Sequence, residues 1–225
     1  MPSLSTPPDG ENPQLSDAER AQEINRKLAQ LYPDAECALD FTNPLELTVA
    51  TLLSAQCTDE RVNRVTPELF QRYPDAQAYA SAVPSELEEI LRPLGFQRAK
   101  AKHLIGMGEK LLADYGGKVP QGIADLTSLP GVGRKTAIVV RGNVFGIPGL
   151  SVDTHFARLV GRLGLSQAVT PRAIERDVST LLPEAEHTDF SHRIIFHGRQ
   201  VCHARTPECE NCGIAQLCPS RRETA

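Results

Sequence analysis

Leu129-Pro130-Gly131-Val132-Gly133-Arg134-Lys135 decides the reading of this 225-residue chain, taken with Asp153 eighteen positions after the lysine. Pro130, Gly131 and Gly133 suit a tight hairpin, because proline presets φ and glycine accepts positive φ without steric cost. The run from Arg134 to Phe145 has a helical pattern, so the hairpin delivers the unpaired N–H groups of a helix N-terminus. Such a terminus attracts anions, and the two glycines let a phosphate approach closely. Lys135 falls in the first helical turn. There the positive end of the helix dipole and the adjacent Arg134 both favour a neutral amine. A nucleophilic lysine needs this, since an ordinary one titrates near ~10.4 and is almost all ammonium at neutral pH. A plain surface turn carrying a solvated lysine reads the same over these seven residues, so the rest of the chain must separate the two.

Composition sets the frame. Hydrophobic residues make up 40% and charged residues 23%, the balance of an ordinary globular protein. No apolar run approaches the length of a membrane span, and the N-terminus lacks the basic and apolar segments of an export signal. A cytoplasmic location is expected, and six cysteines there point to metal or cluster ligands rather than disulfides. The net charge of −4 conceals an asymmetry. Residues 1–90 carry 6 Lys and Arg against 16 Asp and Glu, whereas residues 91–163, which include the hairpin, carry 11 against 4. Local positive charge matters more for phosphate binding than the sum over the chain.

Residues 1–15 are rich in proline, serine and polar groups, and read as a disordered tail. Ser16-Asp17-Ala18-Glu19 is a capping box for a helix to about Leu31. Asn43 and Pro44 supply the cap and first position of the next helix, and Asp59 opens another to about Tyr73. Ser85-Glu86-Leu87-Glu88 reads as a second capping box, for a short helix ended by Pro93 and Gly95. A long amphipathic helix is expected from about Arg98 to Tyr115, closed by Gly116-Gly117. Further helices are expected near Thr154–Arg162, Arg172–Leu182 and Asp189–Val201. No period-two alternation is sustained anywhere and no internal repeat is present. The fold class is all-α, with about ten helices, and Gly146-Ile147-Pro148-Gly149 is the expected joint between subdomains.

Cys37 and Cys57 stand alone and suit the role of small buried hydrophobes. Cys202, Cys209, Cys212 and Cys218 instead form a C-x6-C-x2-C-x5-C loop, which calls for a soft metal. Zinc and a [4Fe–4S] cluster are hard to separate by spacing, although zinc usually takes paired C-x2-C knuckles and only one is present. Four protein ligands leave no open position for substrate, so the site is structural. Asp153 can cap the helix after it, act as a catalytic carboxylate, or do both. His155 suits packing or hydrogen bonding, and Gln56 closes the stretch Leu52-Leu53-Ser54-Ala55-Gln56.

Leu129 to Thr136 (LPGVGRKT), Val152-Asp153-Thr154-His155, LLSAQ at 52–56 and the four-cysteine loop together resemble the endonuclease III family. These are bifunctional DNA glycosylases with a helix-hairpin-helix, a Gly/Pro-rich loop and an aspartate. The resemblance covers roughly residues 18–220. It implies a two-domain fold with a DNA cleft between a six-helix barrel (37–147) and an iron–sulfur cluster domain (16–36 and 148–225). It makes Lys135 the nucleophile, Asp153 the essential carboxylate, and the four cysteines ligands of a [4Fe–4S] cluster, with zinc as the alternative. It places Gln56, Phe96, Gly131, Gly133, Arg134, His155 and Arg205 at the DNA. The implied partner is double-stranded DNA containing damaged pyrimidines or abasic sites, bound by a nucleoid-associated monomer with no membrane contact.

Two departures stand out. The family's wedge loop usually offers an aliphatic residue followed by an aromatic one, and this chain has Phe96-Gln97. The stretch between the first two cluster cysteines is usually basic, and here it reads His203-Ala204-Arg205-Thr206-Pro207-Glu208. The rival readings are an adenine-mismatch glycosylase and a non-catalytic iron–sulfur DNA-binding protein. The first resembles this chain but lacks the hairpin lysine, and the second leaves Lys135 and Asp153 idle.

Overall fold

The computed structural model describes residues 15–222, so the expected tail lies outside the described residues apart from Leu15. Every regular element among the described residues is helical. Helix α1 (Asp17–Leu31) opens on the capping box read from the sequence: the Glu19 N–H donates to Ser16 Oγ, and the Ser16 N–H donates to the Glu19 carboxylate at 2.9 Å. Helix α2 (Pro44–Leu53) begins with the Asn43 side chain accepting from the Glu46 N–H at 3.0 Å, with Pro44 at its first position. Seven consecutive residues, Leu47 to Leu53, are buried in it. A helix apolar on all sides belongs at the centre of a core, and α2 lies there.

Around it come α3 (Asp59–Arg72), α4 (Ala76–Ala80), α5 (Pro84–Leu91), α6 (Gln97–Tyr115), α7 (Ile123–Ser128) and α8 (Arg134–Val144). The capping box expected at Ser85 does not form. Pro84 occupies the first helical position after Val83, which caps through no side chain, so the helix starts before Ser85 could act. The short helices α4 and α7 carry too few residues for a readable period; Asp75 caps α4 through the Ala78 N–H at 2.8 Å. Helix α6 ends as expected, at Gly116 in the left-handed region.

After the hairpin helix the chain continues as α9 (Thr154–Arg162), α10 (Pro171–Ser179) and α11 (His187–Gln200). The buried apolar residues fall into two clusters. One runs from Leu39 to Val140; the other joins Ala21, Ile24 and Leu28 of α1 to residues between Leu150 and Ile214. Cys37 and Cys57 pack half-buried against the first. Helix α8 packs on α2 and also on α11, so the hairpin helix touches elements of both clusters. A second tie is the Arg199–Asp59 ion pair at 2.8 Å, from α11 to the first turn of α3.

Candidate active site

Gly131 makes the hairpin possible. Its φ is +78°, and a Cβ there would come within 2.7 Å of Leu52 Cδ1 and 2.9 Å of His103. Both the turn and the packing against α2 and α6 therefore require glycine. Gly131→Ala is expected to cost about 1–3 kcal/mol, combining left-handed strain with overpacking, and to lower the melting temperature clearly. An unchanged melting temperature would show that the hairpin is not clamped in this way.

Gly133 corrects the sequence reading. It lies at φ −86° and ψ 173°, ordinary extended backbone, so the turn does not need glycine there. It caps α8 without a side chain, and nothing lies within 4 Å of where a Cβ would sit. The space next to the first N–H groups of α8 is open to an external acceptor.

Lys135 is exposed in the first turn of α8, and it shares a cavity of about 90 Å³ with Asp153. Thr51 of α2 and its C-terminal cap Ser54 close the cavity on one side, Cys37 and Leu39 from the α1–α2 connection, and His192 and Phe196 from α11. Asp153 caps α9, accepting the Phe156 N–H on Oδ1 at 2.8 Å, while still lining the cavity. The loop that brings it there is pinned to α11: the Gly149 N–H donates to Thr188 Oγ1 at 3.3 Å and the Ser151 N–H to Ser191 Oγ at 3.0 Å. These two bonds fix the loop before α9 on α11, which places Asp153 at the cavity that Lys135 also lines. Burial pushes the His192 imidazole below its usual range, and its Nε2 lies 2.9 Å from Asn143 Oδ1.

Gln56 and Phe96 share a property invisible in sequence. They are the two non-glycine residues with positive φ among the described residues, at +58° and +51°, and both are exposed, Phe96 by 66%. Such strain persists only where surroundings enforce it, and it concentrates at functional tips. Under the Phe96 turn lies Lys100, 4% exposed, whose Nζ donates to the Leu94 carbonyl at 3.0 Å. Burial lowers the Lys100 amine, with Cys57 opposing more weakly. Sequence reasoning missed Lys100, because a lysine in a helix reads as a solvated charge.

The remaining residues are placed differently. Arg134 grips Glu175 with two hydrogen bonds of 2.7 and 2.9 Å, so its charge is compensated rather than standing free beside Lys135. His155 is half-buried, with Nδ1 3.2 Å from Arg158 Nη2, and it opens on a separate depression with Asp59 and Arg199. Arg205 is exposed on the cysteine loop, where His203 approaches Glu208 at 3.3 Å.

All four loop cysteines line one cavity of about 320 Å³, backed by Leu159, Leu163 and Ile214. Among the described residues no three His, Cys, Asp or Glu side chains stand together as ligands of a single ion. Burial raises the Cys212 and Cys218 thiols, and the neighbouring cysteines add to it, so a cationic centre is needed to hold thiolates here. Polar groups already face two sulfurs: Arg162 Nη1 donates to Cys202 Sγ at 3.1 Å, and His197 Nε2 lies 3.4 Å from Cys212 Sγ. These four cysteines are the residues that would hold a metal or cluster, with neighbouring polar groups placed to steady its sulfur ligands.

Residues 49–184 match a family model described as HhH-GPD superfamily base excision DNA repair protein. The chain is 53% identical to endonuclease III of Synechocystis sp. over 206 residues, 91% of this chain and 94% of the relative. Among solved structures it superposes on a non-covalent endonuclease III–DNA complex with a TM-score of 0.87 and 38% identity, covering 92% of this chain and 97% of that one. A trapped endonuclease III–DNA covalent intermediate matches with the same TM-score, identity and coverage.

Proposed function

Because the chain belongs to the endonuclease III family of HhH-GPD base excision repair proteins, we infer that Lys135 and Asp153 carry its chemistry. The protein is a DNA glycosylase and abasic-site lyase acting on oxidised pyrimidines. The observation that carries the residue assignment is that both side chains open on the same cavity, Lys135 from the first turn of α8 and Asp153 from the cap of α9.

The duplex backbone rests on the open N-terminus of α8 at Gly131–Gly133, and the damaged nucleotide turns out of the stack. Gln56 and Phe96, held proud on strained turns, fill the gap it leaves. The lone pair of Lys135 Nζ forms a bond to C1′ of the sugar as the bond from C1′ to the base breaks. The base leaves with the electron pair of that broken bond and takes a proton from water. Asp153 stabilises the positive charge growing at the sugar and receives the proton lost by the lysine. The C1′–O4′ bond then breaks as O4′ takes the proton held by Asp153, which opens the sugar ring. This leaves a protonated imine between C1′ and Nζ that acidifies the C2′ hydrogen. Loss of that proton expels the 3′ phosphate and cuts the strand by β-elimination. The site is complete within one chain, and the protein works as a monomer on chromosomal DNA. No helix among the described residues is long and apolar enough to cross a membrane.

Two domains flank the cleft: a barrel of residues 37–147, and a cluster domain of 16–36 with 148–225. The two separate apolar clusters support this division. Cys202, Cys209, Cys212 and Cys218 would hold a [4Fe–4S] cluster, which would act as a structural cross-link of the loop. The protein is therefore expected to purify brown, with iron and acid-labile sulfide. Stoichiometric zinc without iron after anaerobic purification would reverse that assignment.

Borohydride trapping on duplexes carrying thymine glycol, an abasic site or an adenine mismatch tests the whole reading. Trapping on the first two is expected. Adenine release from the mismatch without any trapping would favour the mismatch-glycosylase alternative.

A further inference from the structure

Helix α10 shows nothing in sequence beyond a capped amphipathic helix whose two arginines are matched by Glu175 and Asp177, yet the fold gathers both arginines beside the hairpin. Arg134, Arg172 and Arg176 line one concavity of about 570 Å³ together with Thr170, Glu175 and Ser179. Arg172 and Arg176 are four residues apart and so project from the same helix face, both exposed, with the Arg176 side chain at 78%. Like charges at this spacing weaken a helix, and a polyanion laid across them would relieve that repulsion.

The concavity is fixed relative to the hairpin. The two bonds from Arg134 to Glu175 tie α10 to the first residue of α8, next to the open N–H groups of that helix. Three guanidinium groups face one carboxylate there, and a second carboxylate, Asp177, lies 3.3 Å from Arg176. Guanidinium forks suit phosphate oxygens, and the surface is polar and open, as a grip on the DNA backbone requires. The cysteine loop has the opposite character, with Glu208 and Glu210 exposed.

We propose that Arg172 and Arg176 form a second phosphate-binding surface, continuous with the hairpin through Arg134, which grips the DNA backbone alongside the bound lesion. The proposal rests on the DNA-repair reading above and adds a binding surface to it. The arginines meet phosphate, so they strengthen binding to any duplex and do not choose the damaged base.

The test is the salt dependence of binding for the double variant R172A/R176A, by fluorescence anisotropy on undamaged and thymine-glycol duplexes from low to moderate salt. Every phosphate that the variant no longer neutralises should flatten the slope of log K against log salt by about 0.9, so the double variant should be flatter by roughly 1.8. The fall in affinity should be nearly equal on the two duplexes. R172K/R176K, which keeps both charges, should retain most of the wild-type slope. An unchanged slope in R172A/R176A overturns the proposal. So does a fall in affinity that is the same at every salt concentration, because that reports altered folding rather than fewer neutralised phosphates. Trapping by the wild-type protein separates the two levels: trapping with an unchanged slope in the variant defeats the arginine surface alone, whereas absence of trapping defeats the enzymatic reading.

Discussion

Lys135→Gln is expected to abolish borohydride trapping and strand cleavage completely while leaving DNA binding in place. Glutamine is close to lysine in reach and tolerates the first turn of a helix, but its amide nitrogen cannot attack C1′ or form an imine. Lys135 is exposed, so its replacement opens no hole in either apolar cluster. The hairpin that holds the backbone depends on Gly131 and the N-terminus of α8, and neither is touched. The variant should therefore bind lesion duplex with near-wild-type affinity and release no base. Persistent covalent trapping in this variant would sink the assignment and direct attention to another amine.

Asp153→Asn is expected to lower single-turnover base release by ~10²-fold or more, the scale of one acid–base or electrostatic contribution. Asparagine caps a helix about as well as aspartate, and its Oδ1 can still accept the Phe156 N–H. The substitution thus removes a charge from the cavity while keeping the loop, and the melting temperature should barely move. A loss below tenfold with folding intact would return Asp153 to the role of a helix cap alone. Because the two residues serve one step, adding Asp153→Asn to Lys135→Gln should cost nothing further.

Much of this protein is legible in its sequence. Short-range chemistry determines that part: the Ser16–Glu19 capping box, the Asn43-Pro44 start, the Asp153 cap of α9 and the Gly116 stop each depend on residues within one helical turn. The all-helical class, the candidate pair Lys135 and Asp153 and the cysteine loop are readable for the same reason, being carried by residue types at fixed spacings. Where two local signals compete, the sequence misleads. Pro84 starts α5 ahead of the box expected at Ser85, and the extended backbone at Gly133 shows that only one of the two hairpin glycines is needed for conformation.

Tertiary structure decided the rest. Left-handed backbone at Gln56 and Phe96 is costly for side-chain-bearing residues, so it exists only because packing imposes it, and composition cannot announce it. The buried Lys100 beneath Leu94 is equally silent, since helix periodicity gives a lysine no reason to turn inward. The bond between Arg134 and Glu175 spans 41 residues and converts an expected partner of Lys135 into an anchor for α10. Sequence alone determined which groups could do the chemistry. Only the packing of α8 against both α2 and α11 decided that Lys135 and Asp153 face one cavity, because convergence of distant segments depends on burying two apolar clusters at once.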